Sequence, residues 1–137
     1  MSDRSILQRY AVRTGETGAG SLPSDVEGTE DLGAFGWLRG IRDRAAMLEL
    51  RRKDGNILAV GYGYMDKVEF DPSDGITLSV AGQRIRIKGR NLNEAIRPMV
   101  RLFEGISRHR VPWVREADRP ESLEADDKAT IIDSIAW

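Results

Sequence analysis

The sequence predicts an α+β domain that is mostly β: a curled antiparallel meander of about five strands, or a small closed barrel, with one packed helix and a flexible glycine-rich N-terminal arm. Three observations carry that expectation. Apolar and polar residues alternate at period two in short runs between Ala46 and Lys88, as in strands buried on one face. Turn dipeptides such as Asp-Gly separate those runs at hairpin spacing. A later stretch, about 94–109, changes to helical spacing.

Residues 1–36 read as the arm. Gly15, Gly18, Gly20, Gly28, Gly33 and Gly36, with Pro23 and scattered acids, follow neither regular period. Ile6, Leu7 and Tyr10 are spaced for a short helix over 4–12. Order is expected from Trp37, which opens a single β-rich domain over 37–117. There Leu38 and Ile41 lie three apart among arginines, a spacing that fits a helical turn or a strand. Leu48 and Leu50 alternate with Met47, Glu49 and Arg51, Asp54-Gly55 turns the chain, and 57–64 returns as the partner strand. Gly61 and Gly63 mark a bulge or bend in it.

Val68 and Phe70 continue the apolar side, and Asp71-Pro72-Ser73-Asp74-Gly75 forms a turn. Ile76, Leu78 and Val80 alternate with Thr77 and Ser79; Ala81-Gly82-Gln83 turns again; Ile85 and Ile87 then alternate with Arg84, Arg86 and Lys88. Asn91 with Glu94 is spaced as a capping box, and Pro98 favours a regular helix from that point. Met99, Leu102, Phe103 and Ile106 fall on one side of it, and Arg97, Arg101, Glu104 and Arg108 on the other. Val111-Pro112-Trp113-Val114 fits a short edge strand, since Pro112 cannot donate to a ladder. Residues 118–137 read as an acidic linker and an apolar C-terminal segment.

Ile87-Lys88-Gly89-Arg90-Asn91-Leu92 resembles the second motif of Sm-like barrels. The first motif, with its glycine, aspartate and asparagine, is not reproduced between Gly61 and Leu78, and a helix is expected afterwards.

Composition narrows the chemistry. The 137 residues contain no cysteine, which removes thiolate chemistry and disulfides and makes a cytoplasmic home the default. The N-terminal ten residues lack the apolar run of a signal peptide, and no stretch reaches the ~20 apolar residues of a membrane span. One histidine, His109, stands between Arg108 and Arg110 near the expected helix end, where a cation complements exposed carbonyls. No nucleophile or orienting carboxylate is spaced to make it a general base. Glu69, Asp71 and Asp74 are close enough to suggest a hard-cation site, yet turn chemistry explains both aspartates. Gly61-Tyr62-Gly63-Tyr64 lacks the third glycine of a dinucleotide fingerprint. Neither a cofactor nor a metal is expected.

The net charge of −1 hides a segregation. Arg84, Arg86, Lys88, Arg90, Arg97, Arg101, Arg108 and Arg110 stand against only Glu94 and Glu104, while 116–133 is acidic. If the strand and helix cations adjoin, they form a positive field for an acidic protein partner. With Tyr62, Tyr64 and Trp113 as stacking platforms, the same surface would suit nucleic acid. Ile131, Ile132, Ile135 and Trp137 suggest docking on the domain or exchange into a second subunit. The expectation is therefore a non-enzymatic interaction module, self-associating and contacting an acidic partner. Nucleic-acid binding is the alternative, and a metal-using enzyme built on Glu69, Asp71 and Asp74 is a third.

Overall fold

The computed structural model describes residues 28–137. The chain divides into Met1–Glu30 and Asp31–Trp137, and the architecture here, Gly28, Thr29 and Glu30 apart, is that of the second unit. Most of the expected arm, with its helix over 4–12, lies outside the described residues. In chain order the strands are β1 (Thr29–Asp31), β2 (Gly36–Leu38), β3 (Met47–Arg51), β4 (Ile57–Gly61), β5 (Met65–Asp71), β6 (Gly75–Val80), β7 (Gln83–Arg90), β8 (Trp113–Arg115) and β9 (Ile131–Ala136). Among the described residues two short helices, α1 (Leu102–Ser107) and α2 (Arg119–Glu124), and a 3-10 turn at Tyr62–Tyr64 accompany them.

The architecture is mostly β, as the alternation predicts, but it is three sheets and no closed barrel. The larger sheets run β4-β3-β8 and β5-β6-β7-β9; the smallest is β1 with β2. The 47–61 hairpin forms as expected, with Leu48 opposite Val60 and Leu50 opposite Leu58. Its turn is held by Asp54, whose carboxylate accepts from the backbone and side-chain N–H of Asn56 at 2.9 and 3.1 Å. The Asn56 backbone bond draws the Asp54 carboxyl below its ordinary value. The returning strand stops at Gly61, short of Tyr64, because the chain turns there into the 3-10 segment before β5.

The meander expected over 65–90 is present as β5, β6 and β7, all antiparallel. Gly75 closes its first turn at φ +90°, and a Cβ there would run into the Ile87 carbonyl. The fourth strand, β9, comes from the segment expected as linker and tail. It pairs with β7 across a bulge between Lys88 and Gly89, where any Cβ on Gly89 would collide with the Ile131 carbonyl. The six residues that resemble an Sm-like motif thus form a bulged strand end in an open sheet.

Four other expectations change. The helix is confined to Leu102–Ser107, not 94–109. Asn91 takes φ +58° and turns its amide to the carbonyls of Asp127 and Ala129, both at 2.8 Å, so it ties a loop instead of capping a helix. Met99, at φ +70° in a turn after Pro98, is 77% exposed and leaves the apolar stripe. The Pro112 segment does supply a strand, but β8 runs parallel to β3, with Leu50 opposite Val114. Its outer side is bridged to Phe35, a fully buried residue of the stretch expected as arm.

One core cluster draws on both larger sheets: Leu48, Leu50 and Val114 from one, Ile76, Leu78, Ile85, Ile87 and Ile132 from the other, and Leu102 and Ile106 from α1. Each such side chain contributes about 1.5–3 kcal/mol on burial. Where the sheets meet, no strand neighbour reaches the outward backbone groups of Ile135. Charged side chains serve instead: the buried Glu116 carboxylate accepts from the N–H of Ile135 at 2.6 Å and of Lys53 at 2.9 Å, and Arg52 Nε donates to the Ile135 carbonyl at 3.0 Å. No helix of the described residues is long and apolar enough to cross a membrane.

Candidate docking face

The alternation of β7 sends Ile85 and Ile87 into the core and Arg84, Arg86 and Lys88 to the other face of the four-stranded sheet. Register carries that division across the sheet. On the outer face Lys67, Ser79 and Arg84 form one row, Glu69, Thr77, Arg86 and Ala136 a second, and Lys88 stands beside Ser134. Arg84 and Lys88 are exposed and Arg86 is half-buried. Among the described residues no hydrogen bond or ion pair engages these three side chains. Carboxylates also stand on this face: Glu69 lies 3.8 Å from Lys67 Nζ, and Asp71 follows on the same side of β5 opposite Gly75. Small hydroxyl residues flank the cations, so the charged heads stand above a low surface.

The other expected cations are placed elsewhere. On the inner face of the sheet, Phe70 meets Phe103 of α1 with ring centroids 6.0 Å apart. The helix therefore lies across the opposite side from Arg84, Arg86 and Lys88, and the single surface expected of strand and helix is not formed. On α1, Glu104 lies 2.9 Å from Arg108 and 4.0 Å from Arg101, and Arg101 also donates to the Asn93 carbonyl. Arg97 sits in the turn bridged to Val100 and is engaged by other groups. Arg90 follows the bulge and donates to the Ser122 carbonyl at 2.6 Å, tying α2 to the sheet. Arg110, the last base of the run, donates to the carbonyls of Leu38, Gly40 and Ile41 and lies 5.5 Å from the Trp37 ring centroid.

The aromatic candidates separate as well. Tyr62 is buried; its hydroxyl donates to the Val111 carbonyl at 2.7 Å, and burial pushes its pKa well above the ordinary phenol value. It is no stacking platform for a ligand, because its ring already stacks on His109 at 4.4 Å. Trp113 packs against Gly36 and lies under the Arg51 guanidinium, 4.8 Å from the ring centroid. Tyr64 is 71% exposed, but it lies against Gly61 at the end of β4, outside the rows that carry the cations. His109, with φ +60°, closes α1 through its backbone N–H, which donates to the Ile106 carbonyl at 3.1 Å.

Ile131, Ile132 and Ile135 are buried in β9 of this same chain, and Trp137 stacks under Arg52 at 3.6 Å. The segment expected as a free association element thus closes its own sheet here. Glu69, Asp71 and Asp74 do not converge: Asp71 accepts from the N–H of Ser73 and Asp74 within its turn, at 2.7 and 3.2 Å. Among the described residues no cluster of His, Asp or Glu is placed to hold a metal ion. A cleft of about 290 Å³ near Trp37, Ile41, Arg44 and Met99 contains one carboxylate, Glu104, already paired with Arg108.

Sequence reasoning missed the structural arginines and Glu116. Only the Arg115 pair left a readable trace, because Asp118, Pro120 and Glu121 have the spacing of a capped helix start, and Glu121 then reaches Arg115 Nη1 at 3.1 Å. Comparison with protein-family models, with curated proteins and with solved structures finds no match to this chain.

Proposed function

We propose that the protein is a non-enzymatic interaction module that contacts an acidic protein partner through the outer face of the four-stranded sheet, in the cytoplasm. The observation that supports this reading is the row of Arg84, Arg86 and Lys88 along one strand, exposed or half-exposed and without a hydrogen-bond or ion-pair partner among the described residues. Cations that the fold does not use retain their full attraction for carboxylates, and strand spacing holds them in register with an extended acidic segment. The hydroxyls of Thr77, Ser79 and Ser134 add short-range polar groups between the charges. Nucleic acid is the weaker match to this surface, since Tyr62 and Trp113 are occupied within the fold and Tyr64 lies apart.

Fluorescence anisotropy with a labelled glutamate-rich peptide and with single- and double-stranded oligonucleotides tests this. The peptide binds, affinity falls with salt, and the combined Arg84→Ala, Arg86→Ala, Lys88→Ala change weakens it by about tenfold or more. Arg101→Ala with Arg108→Ala leaves it unchanged. Preference for oligonucleotides transfers the face to nucleic acid; silence toward all probes at low salt removes the reading.

A further inference from the structure

The loop between β2 and β3 holds a large apolar side chain out in water. Arg110 Nη1 donates to the carbonyls of Gly40 and Ile41, and Arg44 Nη1 to those of Ile41 at 3.3 Å and Asp43 at 2.9 Å. The Asp43 N–H closes the turn onto the Gly40 carbonyl at 3.0 Å, and the Asp43 carboxylate lies against Gly40. So pinned, the loop leaves Ile41 87% exposed. Met99 is likewise held out by its turn, at a positive φ that residues with a side chain adopt only at a cost. Exposed apolar residues scattered singly are ordinary surface. These two are instead walls of one cleft, the recess of about 290 Å³, whose floor is Trp37 and Val100. The floor is fixed by packing: a Cβ on Gly105 of α1 would come within 2.5 Å of the Trp37 ring, and Val100 is buried.

The rim of the cleft is cationic. Arg44, Arg108 and Arg110 line it against a single carboxylate, Glu104, which Arg108 already matches at 2.9 Å. Arg44 and Arg110 donate to carbonyls and have no ion-pair partner among the described residues, so their charge stands uncompensated. A guanidinium carries five N–H donors. Nε and Nη2 of Arg44, and Nε and Nη1 of Arg108, have no partner among the described residues.

We propose that this cleft binds a small amphiphilic carboxylate, its short aliphatic chain between Ile41 and Met99 and its head on the guanidiniums of Arg44 and Arg108. The planar fork of a guanidinium matches the two oxygens of a carboxylate. The unbranched Met99 side chain adapts to a flexible hydrocarbon. The volume lies at the small end of ligand sites, which suits a short chain and not a long one. Ile41 and Met99 wall a recess rather than stand on a flat surface, which favours a single small molecule over a lipid bilayer. The site shares no residue with the outer face of β7 and does not rest on the reading of that face.

Isothermal titration calorimetry of the full chain with sodium octanoate at low salt tests it. Octylammonium keeps the tail without the anion, and acetate keeps the head without the tail. Octanoate binds with a Kd of about 1 mM or below, and the other two give no heat of binding over the same range. Ile41→Ser and Arg108→Gln each weaken octanoate by about fivefold or more. Met99→Gly removes one wall while relieving the positive φ, so it melts no lower than wild type and still loses octanoate binding. Silence toward octanoate overturns the proposal, as does equal binding of octylammonium or full affinity in Met99→Gly. Cosedimentation with phosphatidylglycerol vesicles that Ile41→Ser abolishes, without octanoate binding, overturns it in favour of a membrane contact.

Discussion

Charged groups serve opposite ends in two regions of this molecule. Around Arg52, Arg110 and Glu116 they complete backbone hydrogen bonding that no neighbouring strand can supply. On the outer face of β7, Arg84, Arg86 and Lys88 bond to nothing in the described chain. Both sets are dense in Arg along the sequence, so charge density alone does not separate a clamp from a docking surface. What separates them is whether a carbonyl or N–H without a ladder partner lies within reach.

That difference makes measurable demands, the largest at the clamps. Arg110→Ala leaves the carbonyls of Leu38, Gly40 and Ile41 without their shared donor and is expected to cost about 3 kcal/mol in urea unfolding; a loss near zero would erase the distinction. Glu116→Gln turns one acceptor into a donor facing an N–H, at Ile135 or Lys53, and costs about 2 kcal/mol. Tyr62→Phe removes the hydroxyl from the Val111 carbonyl while keeping the ring on His109, for about 1 kcal/mol.

The Arg115–Glu121 pair lies between the two regimes, its side chains about a third exposed. The Arg115 hydrogen bond holds the Glu121 carboxyl below its ordinary value of 4.5, and the same bond raises the Arg115 guanidinium. A carboxyl with a lower pKa folded than unfolded binds fewer protons in the folded state. Its contribution is therefore complete above the ordinary value and is lost as pH falls through the lowered one. Arg115→Met should lower stability at neutral pH by less than about 1 kcal/mol, and the gap to wild type should close in acid. The smallest effect belongs to the outer face: the combined Arg84, Arg86 and Lys88 change to alanine should shift stability by no more than about 0.5 kcal/mol. A larger loss would show that the fold uses those cations after all.

Legibility followed sequence distance. The hairpin at Asp54-Gly55 and the meander through Ile76 and Ile85 pair neighbours, so period-two alternation and turn residues define them locally. The parallel seat of Val114 beside Leu50 and the pairing of Ile132 near Gly89 join distant segments, and nothing local encodes a distant partner. The helix was overextended because Asn91 and Glu94 have cap spacing, whereas Asn91 serves carbonyls far along the chain. For the candidate site, the outward direction of Arg84, Arg86 and Lys88 was readable from alternation. The opposite placement of Arg101 and Arg108 was not, since it depends on which face of the sheet receives Phe103.

The parallel contact between β3 and β8 also sets an order of events. Glu49 must find Trp113 with the whole β5-β6-β7 meander strung between them. Loop closure over that span carries an entropic cost that strand neighbours avoid. The meander can assemble from adjacent hairpins and shorten the gap, after which β8 docks and Phe35 covers it. Kinetically, the three-stranded sheet should be the late-forming part of the molecule, and substitutions at Val114 should accelerate unfolding more than they slow folding.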